Sequence, residues 1–463
     1  MSINKRIIIA LIFISALFLS LITYLAYFNL FHARDVFGNT YNRRSLGIVR
    51  GSIYSADGVL LAETVEDDSG NNVRRYPHGR LYSAVIGYSS PLYGRTQLET
   101  TFDSTLMGRG GTNITLGDVR RGFDLILTIE HDLQQLARTQ LGNRRGAVVA
   151  IEPRTGRILA MASNPDFDPH HESLLREWAN LTTNENAPLL PRATQGLYAP
   201  GSVFKIISAA AAYEAGMSEQ IFNDTGAFDI GTGVVRNFNN AVFGEIGLGR
   251  AFAVSSNYVF CYIGYHLGAD VISDMARRFG VGVPFDIDIP TAASRLDYAA
   301  GEMTAADSAL ISIGQGKLLT TPVHMAMITA SVANGGVMMR PHLVERATSD
   351  MGLIMYTSRH RVQARPIGAS AAAYLSEIME LAVTDGTGTN ARISGVRVAG
   401  KTGTAEVEAI DGGSNLSHAW FVGFAPADDP QIAVAVVLEH SGGSGGALAA
   451  PIARDVMRLY LGL

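Results

Sequence analysis

Residues 146–163, GAVVAIEPRTGRILAMAS, are the stretch on which the fold turns. Two apolar runs are joined by Pro153-Arg154-Thr155-Gly156, the form of a β-hairpin. Just upstream, FDLILTI (123–129) is strand-like, and EHDLQQLARTQLG (130–142) has helical spacing and stops on a glycine. Downstream the strand signals thin out. From about 170 to 385 most of the chain reads as helix, including 202–215, 266–279 and 371–383. Strand signals return in VRVAGKTGTAE (396–406), HAWFVGFAP (418–426) and QIAVAVVLEH (431–440), separated by Gly, Asp and Pro, and APIARDVMRLYLGL (450–463) reads as a closing helix. Strands at both ends with helices between them imply an α+β domain, one antiparallel sheet carrying an all-helical subdomain.

The first third differs in texture. Residues 7–28, IIIALIFISALFLSLITYLAYF, carry no charge and are long enough to cross a bilayer as a helix. Lys5 and Arg6 precede them, which predicts a cytoplasmic N-terminus with the rest of the chain outside. A cleaved signal peptide would have a shorter apolar region and an A-x-A-like site, so an uncleaved anchor is expected. Residues 30 to about 120 are polar and rich in Gly and Arg, with short strand-like pieces and a turn at Ser55-Ala56-Asp57-Gly58. The expected organisation is a cytoplasmic tail (1–6), an anchor (7–28), a small stalk domain (29–121) and a catalytic domain (122–463).

Composition excludes several classes. The net charge is −5 and no run of like charges occurs, which argues against a nucleic-acid groove. The single cysteine, Cys261, lies in the apolar string YVFCYIGY and reads as a small buried hydrophobe. His170-His171 lacks a third ligand at metal spacing, so no metal is expected. Asp385-Gly386-Thr387-Gly388-Thr389 lacks a phosphate-loop lysine and reads as a turn bordering the active cleft.

Of 37 basic residues only Lys5, Lys205, Lys317 and Lys401 are lysine. Arginine holds its proton at ordinary pH, whereas a desolvated lysine can release it. Lys205 lies inside YAPGSVFKIISAAAAYEAG (198–216), an apolar helical run, where a charged amine is costly. Ser202 precedes it at i and i+3, on one helix face, with Pro200-Gly201 turning the chain so that Ser202 begins the helix. The amine is expected to reach the hydroxyl and serve as its base.

S-x-x-K alone is a weak signal, since Ser2-Ile3-Asn4-Lys5 matches it too. Its company strengthens it. Ser255-Ser256-Asn257 follows, between helices, and Lys401-Thr402-Gly403-Thr404 lies on an expected strand, in the order used by serine acyl-transferases of the penicillin-binding and β-lactamase type. Gly403 is expected to let the backbone approach a ligand closely.

With these motifs in place, the chain resembles a class B penicillin-binding protein, a membrane-anchored D,D-transpeptidase. RGSIYSADGVLLAET (50–64) is similar to the family's stalk signature, with Ser55 and Ala56 in place of its usual acidic and basic pair. GYSSPLYGRTQLETTFDSTLMG (87–108) resembles the segment ending in G-x-x-G-L-E, with Gln97 before Leu98-Glu99. Residues 146–169, 313–326 and 418–439 resemble transpeptidase-domain segments.

The resemblance implies a penicillin-binding/serine β-lactamase-like fold and a division of roles. Ser202 would attack the penultimate D-Ala carbonyl of a stem peptide, and Lys205 would take its proton, with Lys401 as the neighbouring cation that lowers the Lys205 pKa. Ser255 would relay a proton, and Asn257 would bind the substrate amide and hold Lys205. Thr402 and Thr404 would bind the terminal carboxylate beside Lys401 and Gly403. The oxyanion hole would be the N–H groups of Ser202 and Thr404. No cofactor is implied. The implied partners are D-Ala-D-Ala stem peptides, β-lactams that acylate Ser202, the membrane and a polytopic glycan polymerase. The alternatives are a D,D-carboxypeptidase or serine β-lactamase, which pass the acyl group to water, and a scaffold that activates the polymerase.

Overall fold

The computed structural model describes residues 3–31, 48–108, 120–285, 287–299, 301–407 and 416–463. It begins with helix α1 (Ile3–Phe31). Its stretch Ile7–Tyr27 is long and apolar enough to span a bilayer, and none of that stretch is buried against protein. Apolar side chains exposed all round a helix suit lipid, not water.

The hairpin at 146–163 is the centre of the larger sheet. β1 (Gly146–Ile151), β2 (Ile158–Asn164), β3 (Ala399–Val407), β4 (Leu416–Ala425) and β5 (Ile432–Leu438) form one sheet in the order β2-β1-β5-β4-β3. Every neighbouring pair is antiparallel. Around it lie α2 (His131–Leu141), α3 (Lys205–Glu214), α4 (Asn257–Arg278), α5 (Pro322–Ala333), α6 (Ala369–Thr384) and α7 (Gly445–Tyr460). Strand side chains alternate between faces. Val149, Ala435 and Val437 therefore pack into the core shared with α3 and α5, while Val148, Val434 and Val436 pack against α2 and α7. Cover on both faces explains why β1 and β5 read as continuous apolar runs.

The helical layer is not purely helical. It carries two-stranded ribbons at Ile221–Asp224 with Gly244–Gly247, Ala227–Asp229 with Val234–Arg236, and Arg295–Leu296 with Leu318–Leu319. Their strands are too short and too exposed to show an alternating apolar pattern, so only the turn residues betray them. The helix expected at 266–279 starts earlier, at Asn257, and continues past Gly268, whose φ of 80° breaks the regular turn.

The boundary expected at 121/122 does not separate two sheets. A second sheet runs in the order Ile354–Thr357, Val344–Thr348, Asp124–Leu127, Ile53–Tyr54, Leu60–Glu66, Asn72–Arg75. A stalk strand thus pairs across the boundary, Ile53 with Leu125, and the far side of the Leu125 strand continues the sheet through Val344 with Leu127. The stalk is pinned by a buried ion network. Arg50 Nε donates to Glu99 Oε2 at 2.6 Å and Arg50 Nη1 to Asp103 Oδ1 at 2.6 Å, while Arg74 Nε donates to Glu99 Oε1 at 2.7 Å. Burial alone would raise the Glu99 pKa, but Arg74 and Arg50 bring it down to about 2. His170 and His171 help to join the two halves: His170 Nε2 accepts the Tyr76 N–H at 3.1 Å, and His171 Nδ1 lies 3.0 Å from Ser90 Oγ.

Candidate active site

Ser202 sits on a 3-10 turn, Gly201–Phe204, that leads directly into α3. Val203 and Phe204 are buried in the core and hold the turn, leaving Ser202 half-buried at the rim of a cavity of about 1220 Å³. Two glycines permit the approach. Gly201 has φ 54° and its N–H donates to Gly314 O at 3.0 Å, and a Cβ on Gly314 would come within 1.9 Å of Gly201 O.

Lys205 is fully buried and donates to Ser255 O at 2.9 Å, Ser255 Oγ at 3.3 Å and Asn257 Oδ1 at 2.8 Å. Lys401, equally buried, donates to Ser255 Oγ at 2.9 Å and Thr402 O at 3.1 Å. Two buried amines therefore meet at one hydroxyl. Ser255 is placed for this by a φ of 61°, which is unusual for a residue with a Cβ. Among the described residues no hydrogen bond joins Ser202 to Lys205, whose bonds go to Ser255 and Asn257 instead.

Burial pulls the Lys205 pKa down to about 7, with Cys261 and Asp224 acting in the opposite direction. Lys401 is pushed well below its ordinary value, by burial first and by the charge of Lys205 second. Desolvation is the first cause at both amines, and the repulsion between two like charges belongs to the pair. Ser255 O and Asn257 Oδ1 can only accept, so Lys205 donates to both, and Lys401 donates to Thr402 O in the same way. Cys261, buried beside Lys205, has its thiol raised to about 12 by desolvation, which leaves it unreactive.

β3 is the outer strand of the sheet, so one row of its backbone groups is open along the cavity. Thr402, Gly403 and Thr404 line that edge. The reason for Gly403 differs from the expectation of close approach to a ligand. A Cβ there would lie 2.9 Å from Pro200 O and 3.1 Å from Val203 Cγ1, so the glycine lets the nucleophile turn rest on the strand. Thr402 Oγ1 is 2.5 Å from Thr387 Oγ1, and Thr404 Oγ1 accepts the Gly445 N–H at 3.4 Å. The turn at 385–389 thus borders the cavity through Thr387.

Several groups here carry no motif. Trp420 Nε1 donates to Ala199 O at 3.1 Å, and Tyr198 OH to Glu439 Oε1 at 2.6 Å, both fixing the chain just before Ser202. Asp224 and Asn237, buried beneath Ser255-Ser256-Asn257, lie in the ribbon that periodicity did not reveal. The extra Asn and Asp in that Gly-rich segment were the only available signal.

The comparisons with known proteins bear on this geometry. The family described as the penicillin-binding protein transpeptidase domain matches residues 146–458, and the penicillin-binding protein A dimerisation domain matches 50–117. The chain is 35% identical to the peptidoglycan D,D-transpeptidase PbpA of Mycolicibacterium smegmatis, over 89% of this chain and 89% of that protein. It is 32% identical to the peptidoglycan D,D-transpeptidase MrdA of Acinetobacter baumannii, over 82% of this chain and 65% of that one. Penicillin-binding protein A from M. tuberculosis, as its penicillin G acyl-enzyme complex, superposes with a TM-score of 0.83 at 34% identity, covering 89% of this chain and 99% of that one. A D,D-transpeptidase domain from Eggerthella lenta gives 0.80 at 34% identity, covering 90% and 99%. A matching domain over most of the chain, with a whole-length likeness of this kind behind it, shows that the chain belongs to the penicillin-binding protein transpeptidases.

Proposed function

We propose that the chain is a peptidoglycan D,D-transpeptidase that works through a Ser202 acyl-enzyme and is inhibited by β-lactams acylating the same hydroxyl. The observation that carries this reading is the convergence of two buried lysines on Ser255, at the floor of the cavity that Ser202 lines. Ser202 Oγ attacks the penultimate D-Ala carbonyl as its proton passes to the free amine of Lys205. That hydrogen bond forms once substrate is seated, as catalytic contacts often do. The tetrahedral oxyanion is held by the N–H groups of Ser202 and Thr404, each donor contributing about 2.7–4 kcal/mol. Ser255 passes a proton from the lysine pair to the departing D-Ala nitrogen. Asn257 binds the substrate amide and keeps Lys205 in place, while Lys401, Thr402 and Thr404 receive the terminal carboxylate along the open edge of β3, with Gly403 between them. A second stem-peptide amine then attacks the ester, gives up a proton to the same base and releases Ser202.

The substrate places the catalytic part outside the membrane, with Lys5 and Arg6 of the N-terminus in the cytoplasm. The anchor and stalk suit docking beside a polytopic glycan polymerase, which pull-down of the full chain from membranes tests. Mass spectrometry after penicillin treatment tests the central reading. An adduct on the peptide containing Ser202, absent from Ser202→Ala, is expected; an unmodified Ser202 refutes the reading.

A further inference from the structure

Beneath the Ser255-Ser256-Asn257 turn lies a carboxylate that the mechanism above does not use. Asp224 closes the strand Ile221–Asp224 and is fully buried. Its Oδ2 accepts the Ser256 hydroxyl at 2.6 Å, and its Oδ1 accepts the Gly226 N–H at 2.8 Å. The Asn237 amide donates to both oxygens, at 2.9 and 3.0 Å. Ser256 Oγ already accepts the Val259 N–H at 3.0 Å as the cap of α4, so its own proton is committed to Asp224. Asn237 in turn accepts the N–H groups of Asn257 at 2.7 Å and Tyr258 at 3.0 Å through Oδ1. Asp224 meets donors only, the arrangement of an ionised carboxylate.

Both arms of this network end on residues adjoining the lysines. One arm fixes Ser256, directly after the left-handed Ser255. The other fixes the backbone of Asn257, whose side chain accepts from Lys205 and donates to Arg236 O at 2.8 Å. A left-handed residue with a Cβ persists only where its surroundings overdetermine it. We infer that Asp224 is a positioning residue, which acts through Ser256 and Asn237 to hold Ser255 and Asn257 in the conformation that brings them to Lys205 and Lys401. The inference rests on the transpeptidase reading and deepens it: the middle residue of the motif is the one that links it to the ribbon.

The test separates positioning from folding. Full-length Asp224→Asn, Ser256→Ala and the double variant are titrated for active sites with a fluorescent penicillin, and the acylation rate constant per folded site is measured apart from the affinity of the pre-acylation complex. Each single variant is expected to slow acylation roughly 5- to 30-fold, the effect of one such bond, with affinity unchanged. Because Ser256 shares its hydroxyl bond with Asp224, the double variant loses no more than the worse single one. Ser256→Thr, which keeps the hydroxyl, restores the rate. Wild-type acylation rates in folded Asp224→Asn and Ser256→Ala overturn the inference and leave the transpeptidase reading intact. Failure of the wild type to acylate overturns both.

Discussion

Lys205 gives the sharpest prediction, because its environment sets a pH. With its pKa near 7, the amine at pH 5 is only about 1% free base, so Ser202 acylation there falls about 100-fold below its alkaline plateau. Lys205→Arg cannot supply a base and is expected to lose roughly 10²–10⁴ in rate, with no acid limb left. Stability moves the same way. Unfolded, the amine titrates near 10.5; folded, it has released its proton by about 7, so between these values the unfolded chain binds more protons and stability rises with pH. A shift of that size corresponds to roughly 5 kcal/mol of destabilisation when the burial of the ammonium is fully felt, below pH 7. Lys205→Met removes that burden but leaves Ser255 O and Asn257 Oδ1 without their donor, so a net stabilisation of about 1–4 kcal/mol is expected in urea unfolding at pH 6, while acylation is abolished. Stopped-flow acylation from pH 5 to 9 and urea titrations of the three proteins measure both halves. A wild-type rate that is flat from pH 5 to 8, or a Lys205→Met protein less stable than wild type, refutes the assignment of a strained, desolvated base.

Three further outcomes follow from packing and charge. Glu99→Gln leaves Arg50 and Arg74 buried against a neutral amide and should cost about 3–5 kcal/mol at neutral pH. In the wild type the Glu99 contribution, roughly 3 kcal/mol, is complete above pH 4.5 and lost as pH falls towards 2, so acid unfolding curves should show that dependence and the variant should lack it. Gly403→Ala forces Pro200 O away from β3 and displaces Ser202; a misplacement of about 1 Å costs on the order of 100-fold in acylation, read with fluorescent penicillin. Trp420→Phe loses the bond to Ala199 O and should lower stability by about 1 kcal/mol in thermal unfolding while slowing acylation more than it weakens β-lactam affinity.

The central sheet was legible in the sequence because its strands are covered on both faces. Burial forces runs such as AVVAI and IAVAVVL, and the glycine and proline around them mark the turns. The anchor was legible for a similar reason, since lipid demands apolar residues on every side of α1. The site was legible where chemistry restricts residue choice: Ser202, Lys205, Ser255, Asn257, Lys401 and Thr404 fall within one cavity or beneath it. Other features left little trace. The ribbon at 221–247 has strands of three or four residues, half-exposed, so no period shows. Pairing of Val344–Thr348 with Asp124–Leu127 joins segments more than 200 residues apart, and local pattern cannot report a partner at that distance. That burial depresses both amines is a property of the folded surroundings alone. The stalk signatures lie between. Arg50 and Glu99 stood out as separate motif residues, and only folding revealed them as two ends of one ion pair.

The mixed parentage of the stalk sheet bears on how such proteins could be recombined. Two of its six strands, Val344–Thr348 and Ile354–Thr357, are encoded deep within the catalytic part. A graft that exchanged stalks at a single junction near residue 121 would leave Ile53–Tyr54 of one parent paired with Asp124–Leu127 of another. Chimeras that keep every strand pair within one parent would have to carry 124–127 and 344–357 along with the N-terminal segment, and so would need three crossover points instead of one.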